Sequence, residues 1–153
     1  MKATKSETLG LLISTRDKTL AFFDLAPDKL DRNYGHGKWT IRQILHHLTD
    51  AELIFLQRHK KVIAEPKQVA WACDQDLWND VFDYRHQPLT NKKQLYELCR
   101  GLNYDLTDRF FEICGDKEFV HNEAGLKILG EEFRRVALHN DNHIQQIEMA
   151  LVR

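Results

Sequence analysis

Two histidines four residues apart, His139 and His143, and an adjacent pair, His46 and His47, are the residues whose types and spacing could do chemistry. On an α-helix, positions i and i+4 lie one turn apart on one face, so two imidazoles there can share a metal ion. A third imidazole from a second helix completes a facial three-nitrogen set. That set is the kind catalytic zinc uses, and it leaves coordination positions open for water or substrate. A chain with eight His throws up HxxxH pairs readily, so the direction of each ring has to be argued.

The elements that must position these rings read as long helices. Apolar residues recur at 3.6-residue spacing in four segments, and period-2 alternation is nearly absent. The first helix is expected over about 6–25, stopping before Pro27. The second opens with a capping box, Thr40 and Gln43, and runs until shortly before Pro66. A third starts near Thr90/Asn91, with Leu95, Leu98, Cys99, Leu102, Leu106, Phe110 and Ile113 as its core face. The fourth covers about 126–152. Four such segments predict an all-α chain folded as one four-helix bundle domain over residues 1–153. The second-to-third connection, about 66–90, is long and carries Trp71, Trp78, Phe82 and Tyr84. A short helix there, capping one bundle end, fits its length, and such connections often carry function.

Helical geometry then separates the histidines, at 100° per residue. With Ile44 as origin, His47 falls about 60° away, on the core side, and His46 about 200° away, toward solvent or a partner. With Val136 as origin, His139 and His143 fall about 60° and 20° away, on the core side, with Glu132 and Gln146 on the same flank. His47, His139 and His143 are therefore the candidate metal ligands. Burying three unpartnered imidazoles would cost roughly 1–3 kcal/mol each, which one ion relieves. Glu132, Asn140 and Gln146 are candidates to accept the imidazoles' second N–H. Trp39 reads as a packing anchor and Cys99 as a small core residue. His36, His59, His86 and His121 read as loop or surface residues, and Leu53 as an outward residue suited to a dimer contact.

Composition narrows the function. Twenty-two Lys+Arg against 23 Asp+Glu give a net charge of −1, which offers no electrostatic case for nucleic acid or an anionic membrane. No apolar run suits a leader or a membrane span. Three Cys without a CxxC pair argue against a disulfide framework and for a cytoplasmic setting. Asp74 and Asp76 lack the glycine and glutamate of a calcium loop.

The segment WTIRQILHHLTDAE (39–52) resembles the second-helix signature of the DinB/YfiT-like superfamily of metal-dependent enzymes. HNDNHIQQ (139–146) resembles its C-terminal HxxxHxxQ motif. The resemblance implies a bundle in down-up-up-down order and a divalent ion, usually zinc or nickel, held by His47, His139 and His143. It also implies a small-molecule substrate and a homodimer. Members related to bacillithiol transferases use the metal to activate a low-molecular-weight thiol, and others carry a hydrolase label. The thiol-transferase branch has a further His three residues after the last ligand, where this chain has Gln146, so hydrolysis and S-transfer both stand. The alternative is a non-catalytic bundle or interaction protein in which a metal, or a hydrogen-bonded histidine cluster, only stabilises the fold.

Overall fold

The computed structural model describes residues 4–65 and 67–153. The first three residues, the start of the stretch read for a leader, and Pro66, shortly before which the second helix was expected to stop, lie outside them. Helix α1 (Lys5–Phe22) starts at a Thr4/Glu7 capping box, and a single turn, α2 (Pro27–Leu30), follows with proline at its first position. Helix α3 (Ile41–Ala64) opens at Thr40, whose hydroxyl accepts the Gln43 N–H while the Gln43 side chain accepts the Thr40 N–H. After β1 (Val69–Ala70) comes α4 (Gln75–Val81), the short helix expected in the connection. Asp74, set aside as a calcium ligand, caps it by accepting the Leu77 N–H. Helix α5 (Lys92–Cys114), strands β2 (Glu118–His121) and β3 (Gly125–Ile128), and helix α6 (Leu129–Leu151) complete the chain.

The order of the four long helices follows from their shared core clusters. One cluster joins the C-terminal ends of α1 and α6 to the N-terminal ends of α3 and α5, through Ile44, Leu48, Tyr96 and Ile147 with Leu20 packed against them. Another, at the opposite end, joins Val62 of α3 and Cys114 of α5 to Leu129 and Phe133 of α6. Thus α3 and α5 run parallel to each other and antiparallel to α1 and α6, which is down-up-up-down. Helices α1 and α3 each pack on both α5 and α6. Two consecutive parallel helices require the chain to travel back the full length of the bundle, about 36 Å for a 24-residue helix. That return is the work of the long connection.

The structure corrects three sequence expectations. A small sheet exists: β1 pairs parallel with β2, and β2 pairs antiparallel with β3. The residues assigned to the start of the fourth helix therefore form β3, and the hairpin closes at Gly125, whose φ of +70° suits glycine. The first helix also ends earlier, at Phe22. On α5 the interior face is rotated from the expected one. Leu98, Leu102 and Ile113 are exposed, while Tyr96, Arg100, Asn103 and Thr107 are buried beside Cys99. Arg100 donates to Glu52 from two nitrogens and to the Leu12 carbonyl and Thr15 hydroxyl. Asn103 donates to the Glu52 carboxylate and backbone. A buried charge is tolerated here because its partners supply the hydrogen bonds that water gave up.

Candidate metal centre and adjoining cavity

His47 projects from the second turn of α3, and His139 and His143 project from successive turns of α6, which runs antiparallel beside it. The capping box fixes where α3 begins and hence which way His47 points. Apolar neighbours Ile44, Leu48, Val136, Ile144 and Ile147 are all buried, and they seat the two helices against each other. The three ring centroids lie 4.7–5.0 Å apart, with planes inclined by 61–72°. Nε2 of His47 and Nε2 of His139 are 3.0 Å apart, and one ring nitrogen from each of the three lies within 4.8 Å of the others.

The donor set fits a divalent ion. Burial and the neighbouring imidazoles push the rings toward the neutral form that ligation needs: His47 falls to about 3, with His143 adding to the burial effect. His139 is held well below the ordinary value, by burial first and by His47 next. Burial lowers His143 too, while its bond to Gln146 works the other way. His143 Nδ1 sits 2.8 Å from Gln146 Oε1, so Nδ1 carries the hydrogen and Nε2 presents a lone pair. The 3.0 Å nitrogen separation is close to the edge between two ligands about 2.1 Å from a common ion, about 3.0 Å at right angles and about 3.4 Å in a tetrahedron. Trp39 lies parallel to His143, centroids 6.2 Å apart and planes 9° apart, and is tilted over His47 at 5.2 Å. It packs against the core, as expected, and also walls the histidine cluster.

Among the other expected partners, Gln146 bonds His143. Asn140 is engaged elsewhere, accepting from Tyr96 and Thr19 and donating to Glu52. Glu132 pairs with Arg58 and lies 3.8 Å from Arg135. His36 and His86 are exposed, whereas three other histidines depart from the sequence reading. His46, placed toward solvent, is buried beneath the connection, stacked on Tyr84 at 4.4 Å and bonded to the Gln87 carbonyl. His59 is fully buried, its Nδ1 3.0 Å from Asn103 Oδ1. His121 is buried on β2, and its Nδ1 accepts the N–H groups of Glu123 and Ala124.

A cavity of about 210 Å³ opens beside the cluster, with His47 and His139 in its wall. Ala51, Ile54 and Phe55 give it an apolar side. At one end Asp50 accepts from the Tyr84 hydroxyl and, at 3.4 Å, from Lys92. Burial and that carboxylate together raise Tyr84 above the usual phenol range. At the other end stand Arg58, Arg135 and His121. Trp78 also lines the cavity, while Trp71 is 73% exposed and offers only its backbone carbonyl, to Arg58. Cys73, half-buried with its thiol pushed up by burial, lines the cavity too; the three cysteines are unpaired. Sequence reasoning passed over Asp50, Arg58 and Arg135, named Tyr84 only as part of the aromatic connection, and read His121 as a loop or surface residue. Asp50 at i+3 from His47 and Arg135 at i−4 from His139 share their ligands' faces, a signal the spacing did contain.

Known proteins resemble this chain in sequence and in fold. The sequence profile of the DinB superfamily fits residues 11–147. A protein of Oceanobacillus iheyensis bearing the name "Putative metal-dependent hydrolase" is 30% identical over 130 residues, 83% of this chain and 73% of its own. A second from that organism, so named, is 29% identical over 124 residues, 81% and 72% of the two chains. One from Halalkalibacterium halodurans is 22% identical over 143 residues, 92% and 83%. Among solved structures, YfiT from Bacillus subtilis superposes with a TM-score of 0.81 at 21% identity, over 94% of this chain and 83% of that one. It is described as "a probable metal-dependent hydrolase with an unusual four-helix bundle topology". At that identity the likeness establishes the fold.

Proposed function

The chain belongs to the DinB superfamily, and from that premise we propose that it is a metal-dependent hydrolase of small molecules, with His47, His139 and His143 holding a divalent ion. The observation that carries the reading is the convergence of three imidazoles from two helices, two of them in the wall of a cavity. Imidazole suits zinc and nickel alike. A bound ion would supply Lewis acidity, lowering the pKa of a ligated water to about 7 or ionising a ligated thiol. The chain's own residues do the rest. Gln146 holds the His143 tautomer, Trp39 shields the rings from solvent, and the apolar side formed by Ala51, Ile54 and Phe55 seats the substrate. Asp50, one turn beyond His47, is an acceptor already oriented by Tyr84 and Lys92.

Hydrolysis takes its nucleophile from solvent; S-transfer would take it from a low-molecular-weight thiol in the same cavity. The relatives' names support hydrolysis. A metal-reconstituted screen of esters, amides and other electrophiles, run with and without bacillithiol, glutathione, cysteine and coenzyme A, separates the two. Turnover without thiol is the expected result, and strictly thiol-dependent turnover would reassign the reaction to S-transfer. X-ray absorption that finds a shell made wholly of protein ligands would leave a non-catalytic, metal-stabilised bundle.

A further inference from the structure

The cavity is polarised along its length. At its Asp50 end the carboxylate is matched by two donors, accepting from Tyr84 and Lys92. The opposite end is rich in unmatched donors. Arg58 and Arg135 converge on one carboxylate, Glu132, which is 2% exposed; Arg58 is 9% exposed and pairs with it directly, and Arg135 stands off at 3.8 Å. Arg58 spends one further N–H on the Trp71 carbonyl. A guanidinium has five N–H donors and no acceptor, so two of them outrun what one carboxylate and one carbonyl can accept. His121 adds to the surplus. Its Nδ1 accepts two backbone N–H groups, which places the ring hydrogen on Nε2. Glu123 also lines this end, but its side chain is exposed at the hairpin turn, where water screens it.

Resting on the reading of this cavity as the substrate site, we propose that Arg58, Arg135 and His121 form a subsite for an oxyanion carried by the substrate, a carboxylate or phosphate group. Paired N–H donors of arginine match such a group in geometry and charge. Arg135 precedes His139 by one helical turn, about 6 Å along the axis. The subsite and the metal centre are therefore separated by the apolar stretch of Ala51, Ile54 and Phe55. The substrate is accordingly a small amphipathic molecule: its reacting bond at the histidines, an apolar middle, and an anionic end held at the arginines. The arginines bind and orient, and bond breaking belongs to the metal centre.

The test is isothermal titration of the metal-loaded protein with 3-phenylpropionate and with its neutral amide, using wild type, Arg135→Gln and Arg135→Lys. Arg135 is 47% exposed, so its replacement spares the core; Arg58 is avoided because its loss would strand Glu132. The wild type is expected to bind the acid at least tenfold more tightly than the amide. Arg135→Gln should lose most of that preference and leave the amide unaffected, and Arg135→Lys should recover part of it. A carboxylate that merely ligates the metal would bind wild type and Arg135→Gln equally, which overturns the subsite, as does a wild type that fails to prefer the acid. Metal-to-protein ratios on the same samples keep the two readings apart. Bound metal without acid preference sinks the subsite alone, and absent metal sinks the hydrolase reading.

Discussion

Burial has one consequence for the interior histidines: it pushes each of them toward the uncharged form. His59 makes the case away from the metal centre, since burial drives it to about 4 from an ordinary value near 6.5. Below 6.5 the unfolded chain takes up a proton that the native chain refuses, so stability falls as pH drops from 6.5 toward 4. The slope is about 1.4 kcal/mol per pH unit for such a group. Denaturant unfolding in chelator between pH 7 and 5 should show that decline, and His59→Gln should make it shallower by the share of His59 alone, about 1.4 kcal/mol per pH unit, the other interior histidines keeping theirs. An unchanged slope in the variant would contradict the assignment. His46→Ala should cost about 1–3 kcal/mol, because it removes the Tyr84 stack and strands the Gln87 carbonyl. The sequence made His47, His139 and His143 legible through helical angle alone. His59 was legible by the same arithmetic, lying about 60° from Ile44. His121 answers to the alternation of β2, in which Phe119 and His121 both point inward. His46 was not legible, because the residues that cover it come from the distant connection and not from its own helix.

At the scale of elements, α5 carries the most information. Its apolar stripe, read by period, is rotated about 80° from the face it buries. Hydrophobicity misleads there because Arg100 and Asn103 are interior residues, and only the partner on α3, Glu52, makes them so. A single-helix pattern cannot see that partner. Arg100→Ala should therefore destabilise strongly, by about 3–5 kcal/mol, because it leaves the Glu52 carboxylate buried without its cation. Leu98→Ala, at a residue 67% exposed, should change stability by no more than about 0.5 kcal/mol. Comparing the two variants by chemical denaturation reads the rotation directly, and the opposite ranking would refute it. Helix α3 was legible almost to its ends because its capping box and its stripe agree. The sheet escaped notice because β1 has two residues and the hairpin strands four each, too few for a period to register.

For the whole molecule, parallel α3 and α5 force the long return, and the return roofs the cavity beside the histidines. Topology thus places Tyr84, Cys73 and Trp78 over a centre built from two other helices. Across the bundle, an ion at that centre would tie α3 to α6. A ligand that binds only the folded state at a hundred times its dissociation constant adds about 2.7 kcal/mol. For a domain of this size that raises the melting temperature by roughly 5–10 °C. Thermal unfolding with and without added zinc or nickel checks this, and a melting temperature indifferent to both would count against a centre bridging the helices.

The central claim is that His47, His139 and His143 share one ion while His46 does not. Without an ion, the 3.0 Å contact between His47 and His139 must be a hydrogen bond in which one Nε2 donates and the other accepts. Metal content by elemental analysis, after reconstitution and desalting, decides between them. Wild type and His46→Ala should each retain about one divalent ion per chain, and His47→Ala should retain little. A wild type that holds no ion, or a His46→Ala variant that loses it while His47→Ala keeps it, would contradict the account.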